Sequence, residues 1–172
     1  LDQDVQVYVY EMEDSAIYEE QDDNGEFTTY AVSSLPNPTF EGLWESLLFD
    51  TDIKTNLIDY SQSIVLFASK GVSPHIISFN KLVLLYGPPG TGKTSLCKGL
   101  AYKLAMRIQS SYDAVQFVEV NAHSLFSRWF SESGKLVMKL FSKIRALLEQ
   151  NFFVFLLIGT YPWHFASSLT LR

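Results

Sequence analysis

The sequence contains a single cysteine, no lysine or arginine before Lys54, and no long apolar run. One thiol, Cys97, cannot form an internal disulfide and is typical of a reducing compartment. The longest apolar run, residues 152–158, is far shorter than the ~18 residues that indicate a membrane span, and the amino terminus does not resemble a signal peptide. We therefore expect a soluble protein that is neither disulfide-stabilised nor embedded in a membrane.

The three histidines, His75, His123 and His164, are too far apart in sequence for a metal-ligand motif. Polar residues at loops or edges are the simpler interpretation of all three. The sequence therefore predicts no zinc or iron site.

The net charge of −6 is unevenly distributed along the chain. Residues 1–53 carry −14, whereas residues 54–172 carry +8. We interpret the acidic run at 11–26 as a solvated connecting loop, with a protein-binding surface as the alternative. This charge argues against nucleic-acid binding by the first third of the chain.

The hydrophobic pattern predicts an α/β fold. Residues 5–12 and 26–33 suggest two strands of a small amino-terminal domain, and residues 34–38 a linker. Beyond residue 39 the pattern predicts a helix from about 51 to 70, strands at 81–86, 114–120 and 152–158, and helices at about 96–108 and 133–150. Strands that alternate with helices indicate a parallel sheet with helical crossovers.

The stretch GPPGTGKT at 87–94 matches the phosphate-loop (Walker A, or P-loop) pattern in full, between a predicted strand and a predicted helix. Its glycines permit a backbone whose N–H groups point toward phosphates at a positive helix end. Lys93 would reach the β and γ phosphates of ATP, and the Thr94 hydroxyl would bind Mg²⁺. The predicted nucleotide-binding residues are Gly87, Pro88, Pro89, Gly90, Thr91, Gly92, Lys93 and Thr94. The alternatives are a chance match in a glycine-rich turn and an unrelated P-loop protein such as a small kinase.

The stretches GPPGTGKTSLCKGLAYKL (87–104) and NAHSLFSRWFSESGKLV (121–137) resemble the pachytene checkpoint protein 2 family of AAA+ ATPases. This resemblance covers residues 38–158, and it implies a homo-hexameric ring that remodels HORMA-domain proteins with a HORMA adaptor, in the nucleus and cytoplasm. It also implies that Trp129 and Phe130 belong to a pore loop that grips the substrate chain. Residues 47–49 would border the adenine.

The resemblance places an Asp-Glu pair at the end of the third strand, where this chain has Gly159 and Thr160. The missing acids would hold the water shell of Mg²⁺ and orient the attacking water, so we expect no intact catalytic residue. No acid follows in residues 160–172. The resemblance ends at Ile158, which suggests an alternative exon, a retained intron or a frame change.

The resemblance further implies a strand order of five, one, four, three, two, with strands four and five outside this chain. The phosphate-loop strand at 81–86 would then lack partners on both sides, and we expect an incomplete AAA+ sheet of marginal stability. The predicted division is the end of an amino-terminal domain at 1–38, a partial ATPase domain at 39–158 and a divergent tail at 159–172. Two functions remain open: an AAA+ ATPase that remodels HORMA proteins, or a non-hydrolysing isoform that binds or inhibits intact ring subunits.

Overall fold

The computed structural model describes residues 7–12, 17–21, 28–73, 75, 77, 78, 80–122, 133–159 and 166–171. Within these ranges the longer elements follow in this order: β1 (Tyr18–Gln21), β2 (Thr28–Leu35), α1 (Leu43–Ser46), α2 (Ile53–Ser69), β3 (Leu82–Tyr86), α3 (Lys93–Ile108), β4 (Ala114–Asn121), α4 (Ser133–Glu149), β5 (Phe152–Gly159) and β6 (Ala166–Leu171). None of the described helices has the length and apolar character that crossing a membrane requires.

The six strands form one sheet in the order β1-β2-β4-β5-β6-β3. Only β4 and β5 run parallel to each other, and the four other pairings are antiparallel. The α/β class is therefore confirmed, and the three predicted strands β3, β4 and β5 all run in the same direction, as expected. The sheet as a whole is mixed rather than parallel. The sheet is mixed because β2 pairs directly with β4, and because β6 returns antiparallel beside β5.

Helices cover the two faces of the central sheet. On one face α3 packs over inward-pointing residues of β4 and β5, among them Phe117, Phe153 and Phe155, and α2 and Trp44 of α1 complete the same core. On the other face, Leu140 and Ile144 of α4 pack against residues of β4 and β5 that include Val118, Val154 and Leu156. The apolar run at 152–158 is thus a strand with a core on each side, as its composition predicts.

The amino-terminal strands differ from the prediction. Residues 7–12 are not a strand; they lie beside α3, where the Tyr102 hydroxyl is 3.9 Å from Met12 Sδ, and Gln109, directly after the helix, donates from Nε2 to the carbonyl of Glu11 at 3.2 Å. Instead, Tyr18–Gln21 inside the acidic run forms β1, because β2 offers it an antiparallel partner. The description of this run as a loop is therefore wrong for these four residues.

The expected linker at 34–38 is also partly built into the sheet. Leu35 ends β2, and Leu35, Pro36 and Asn37 are all buried. Strands from both sides of the proposed boundary at residue 38 belong to one sheet. The three-part division of the chain stays a prediction.

The last described segment, β6, lies between β3 and β5. The β3 register runs from Leu82↔Thr170 to Tyr86↔Ala166, and β5 pairs with β6 from Phe155↔Leu171 to Gly159↔Ser167. This is the place that the resemblance assigns to strand four, but it is filled in the antiparallel direction. The expectation that β3 lacks partners on both sides is therefore wrong for one side. On its other side β3 meets no strand among the described residues, and a cleft of about 560 Å³ separates it from α2.

Candidate phosphate-binding site

The predicted phosphate loop connects the end of β3 to the start of α3. Gly90 (φ 77°) and Gly92 (φ 80°) both adopt left-handed conformations that side chains with a Cβ rarely take. Among the described residues no side chain caps the amino end of α3, where Gly92 is the capping residue. The first N–H groups of the helix are therefore available to an anion, at the end where the helix dipole is positive.

The ammonium group of Lys93 lies inside the loop. Its Nζ donates to the carbonyl oxygens of Gly87 at 3.0 Å and Pro88 at 2.6 Å, and lies 3.4 Å from Thr91 Oγ1. Thr91 Oγ1 in turn donates to the same Pro88 oxygen at 2.9 Å. These bonds place the positive charge at the mouth of the loop, where phosphate oxygens can replace the neutral acceptors and form stronger, charge-assisted bonds.

Thr94 occupies the first turn of α3 and is half-buried. A hydroxyl next to a phosphate site suits a magnesium ion, which retains waters and takes few protein ligands. Within the described ranges, no three acidic, histidine or cysteine side chains come together in a way that would hold a metal ion by themselves. Any metal here would depend on Thr94 and on the phosphates of the ligand.

Gly159, at the carboxyl end of β5, lies at the same end of the sheet's strands as the phosphate loop. Ser167 of β6 is in register with both Gly159 and Leu85, so a single strand separates the ends of β5 and β3. Because Phe155 and Leu157 point to the α3 side, strand alternation directs position 159 to that side as well. A Cβ built on Gly159 meets no atom of the described residues within 4 Å. Among the described residues the position is therefore unobstructed, and it has no side chain.

Three predicted functional residues lie outside the described residues: Thr160, and the pore-loop pair Trp129 and Phe130. Their roles remain predictions. Of the residues predicted to border the adenine, Leu47 lies next to the loop, since a Cβ added at Gly92 would lie 3.2 Å from Leu47 Cδ2. Leu48 is 92% exposed, and Phe49 is half-buried against the core.

Sequence reasoning did not identify Lys54 as part of this region. Its Nζ donates to the carbonyl oxygens of Trp44 and of Leu47, the latter at 2.9 Å, and lies 4.9 Å from the centre of a Trp44 ring. Lys54 therefore holds the end of α1 and the start of the segment that reaches the loop. A lysine near the start of a predicted helix gives no sequence signal for such a contact.

Gly99 was also missed, although it sets the distance between α1 and α3. A Cβ at Gly99 would lie 3.1 Å from both the backbone N and Cα of Trp44. Glycine within a helix usually lowers stability, so its presence could have indicated close packing. The partner helix could not be inferred from sequence.

The single cysteine is structural. Cys97 is 1% exposed in the core beneath α3, and burial, with a smaller contribution from the Glu119 carboxylate, raises the pKa of its thiol to about 12. Glu119 itself forms an ion pair with Lys98 Nζ at 2.8 Å. Cys97 is therefore neither a nucleophile nor a metal ligand at neutral pH.

The loop, the flanking strand and helix, and the core strands belong to a known class of nucleotide-binding domain. Residues 83–158 match the family described as "ATPase family associated with various cellular activities (AAA)". That match begins in β3, includes the whole phosphate loop and ends one residue before Gly159.

Relatives and a solved structure define the class further. The chain is 50% identical over 145 residues to the pachytene checkpoint protein 2 homolog of Oryza sativa subsp. indica (84% of this chain, 31% of that protein). It is 55% identical over 125 residues to the homolog of Danio rerio (72% and 30%). The structure of C. elegans PCH-2 superposes with a TM-score of 0.75 at 41% identity, covering 88% of this chain and 38% of that one. This chain belongs to the pachytene checkpoint protein 2 family of AAA proteins, and it spans about three tenths of the curated relatives' length.

Proposed function

We propose that residues 87–94 bind ATP together with Mg²⁺. The observation that carries this proposal is the arrangement of Lys93, which lies inside a glycine loop at an uncapped helix end. The loop N–H groups would hold the phosphates, Lys93 would neutralise the β and γ phosphates, and Thr94 would bind the metal. Leu47 lies against the loop, where an apolar surface would suit the base of the nucleotide.

The protein to which this chain belongs is proposed to act as an AAA+ ATPase that remodels HORMA-domain proteins. The support is the family membership, with the phosphate loop inside the matched region. The same proposal includes a homo-hexameric ring, a HORMA adaptor, a pore loop at Trp129 and Phe130, and a nuclear and cytoplasmic location. Meiotic chromosome-axis and spindle-checkpoint control would be its setting.

A second candidate is specific to the chain as given: a nucleotide-binding module that does not hydrolyse ATP and that binds or inhibits intact ring subunits. Gly159 favours it, because this position at the end of β5 carries no carboxylate, although the described residues leave room for one. Hydrolysis depends on positioned charge beside the metal and the attacking water. A glycine supplies none.

The test of binding is a titration with a fluorescent ATP analogue in the presence of Mg²⁺. Replacing the ammonium in Lys93→Met removes charge-assisted bonds of about 1.5 to 3 kcal/mol, so the affinity should fall roughly 10- to 150-fold. Arg145→Met, an exposed cation on α4 across the sheet, is the matched control and should bind normally. Equal affinity of the wild type and Lys93→Met would contradict the proposed site.

The test of hydrolysis compares phosphate release by the wild type with that by the double variant Gly159→Asp/Thr160→Glu. We expect no turnover above background from the wild type. Turnover that appears in the double variant, and that Lys93→Met abolishes, would support the assignment of position 159. Metal-dependent turnover by the wild type would rule out the second candidate. To test the inhibitory role, the chain is mixed with full-length relatives, whose ATPase rate should fall as it is added; no effect at excess would count against it.

A further inference from the structure

The strand β6 connects the two strands whose ends form the candidate site. We propose that Ala166–Leu171 act as an internal donor strand, which keeps β3 in the sheet and so holds the phosphate loop in its binding conformation. The structural part of this proposal stands on strand pairing alone, and only its nucleotide readout rests on the proposed function.

The first support is the weak attachment of β3 by its side chains. Leu82, Leu84 and Tyr86 are 48%, 60% and 82% exposed, and only Val83 and Leu85 pack against the core. Five register pairs with β6 are the strand contacts that β3 has among the described residues. Without β6, β3 would present both its edges unpaired, at a cost for each backbone group that water did not satisfy.

The second support is the position of the start of β6. Ala166 pairs with Tyr86, the residue directly before the phosphate loop, and Ser167 is in register with both Leu85 and Gly159. A displacement of β6 would therefore act on the loop at its first residue. The loop is otherwise fixed at its far end, by α3, which is part of the core.

The third support is the sequence of the strand, ASSLTL. It contains no charged residue, glycine or proline. Such a segment can pair on both of its edges, as a strand inside a sheet must, whereas edge strands are commonly protected by charges or proline. The composition of β6 therefore matches an inserted position.

The first experiment measures hydrogen exchange of backbone amides in the full chain. Leu169→Pro removes an N–H from the residue in register with both Val83 and Leu157, whereas the control Ser168→Thr keeps its N–H and favours strands. In Leu169→Pro, exchange in β3 should rise at least tenfold while the β2–β4 pair stays protected, and affinity for the ATP analogue should fall about as much. A peptide of residues 164–172 added in trans should restore both. Unchanged protection of β3 in Leu169→Pro would overturn the proposal.

A second experiment remains informative if Leu169→Pro fails to fold. Leu84 and Ser168 are register partners, so Leu84→Cys/Ser168→Cys should form a disulfide under mild oxidation. Leu84→Cys/Leu169→Cys, shifted by one residue, is the control and should not. Failure of the 84/168 pair to cross-link would overturn the proposal. Cross-linking and β3 protection in a chain that does not bind the ATP analogue would uphold the donor strand and contradict the proposed function instead.

Discussion

Gly99 provides the sharpest test of how α1 and α3 pack. In Gly99→Ala the new Cβ would lie 3.1 Å from the backbone N and Cα of Trp44, well inside the 3.5 to 4.0 Å of ordinary carbon contacts. These are backbone atoms, so α1 itself must move. Its movement is resisted by Lys54, which bonds to the carbonyls of Trp44 and Leu47, and by the ion pair between Glu45 and Lys103.

Two opposite effects set the magnitude. Overpacking costs about 1 to 3 kcal/mol, while alanine favours a helix over glycine by about 1 kcal/mol. We expect Gly99→Ala to be less stable by a net ~1 kcal/mol, which lowers the melting temperature by about 2 to 4 °C in a chain of this size. Because α1 leads to Leu47, a moderate loss of nucleotide affinity should accompany it.

Urea unfolding followed by circular dichroism measures the change in free energy. Ala146→Gly, at an exposed position of α4, gives the helix propensity difference in this protein and serves as the control. In the background of Lys54→Met, where α1 is held less firmly, the cost of Gly99→Ala should shrink. A Gly99→Ala variant as stable as the wild type, or more stable, would refute the reasoning.

Three further measurements test the surroundings of the site. The pKa of the Cys97 thiol is raised from 9 in the unfolded chain to about 12, so its contribution to stability is complete below pH 9 and is lost as the pH rises toward 12. Urea unfolding should therefore show ~1.4 kcal/mol less stability at pH 10 than at pH 8 from this group, and the loss should be absent in Cys97→Ala. Glu119→Gln removes the ion pair with Lys98 at a cost of about 0.5 kcal/mol in stability, since both side chains are partly exposed. It should also lower the pKa of Cys97 in a thiol titration, and an unchanged pKa would contradict the contribution of the Glu119 carboxylate. Gly92→Ala places a Cβ against Leu47 at a φ of 80°, whereas the Cβ of Gly90→Ala would meet no described atom within 4 Å. Gly92→Ala should therefore weaken binding of the ATP analogue more than Gly90→Ala, and equal effects would show that backbone strain alone matters.

The sequence predicts the strand, loop and helix around residues 87–94 well because their determinants are local. A short apolar run, a glycine loop and a helical stripe lie consecutively in the chain, and β3, the loop and α3 form at those residues. The helix after residue 51 and the strands β4 and β5 are equally local patterns. The position of Gly159, at the same end of the strands as the loop, also follows from the sequence once β5 is placed in the sheet.

The parts that sequence reasoning missed depend on distant partners. Tyr18–Gln21 is acidic and would be a loop alone, and it is a strand because β2 pairs with it. The segment that forms β6 is short and only half apolar, and it is a strand because it pairs with both β3 and β5. Residues 7–12 alternate as a strand would, but they lie along α3 instead. The periodicity of apolar residues in a segment does not show which strand of a sheet has an edge free to pair with that segment.

The arrangement of the sheet would allow the proposed nucleotide binding and hydrolysis to separate in this chain. In the proposed site, phosphate contacts would come from one continuous segment of strand, loop and helix, whereas the charge for hydrolysis would come from the end of β5, two strands away from β3. No described atom fills the space at Gly159, and Ser167 of β6 is in register with both Gly159 and Leu85, so under this proposal the chain would lack the charge at position 159 rather than the room for it. The single variant Gly159→Asp should therefore strengthen the dependence of nucleotide affinity on Mg²⁺ without producing turnover, since a second acid is still needed to orient water. Comparing affinities with Mg²⁺ and with a chelator measures this, and an affinity that responds equally to the metal in the wild type and in Gly159→Asp would show that position 159 does not face the bound metal.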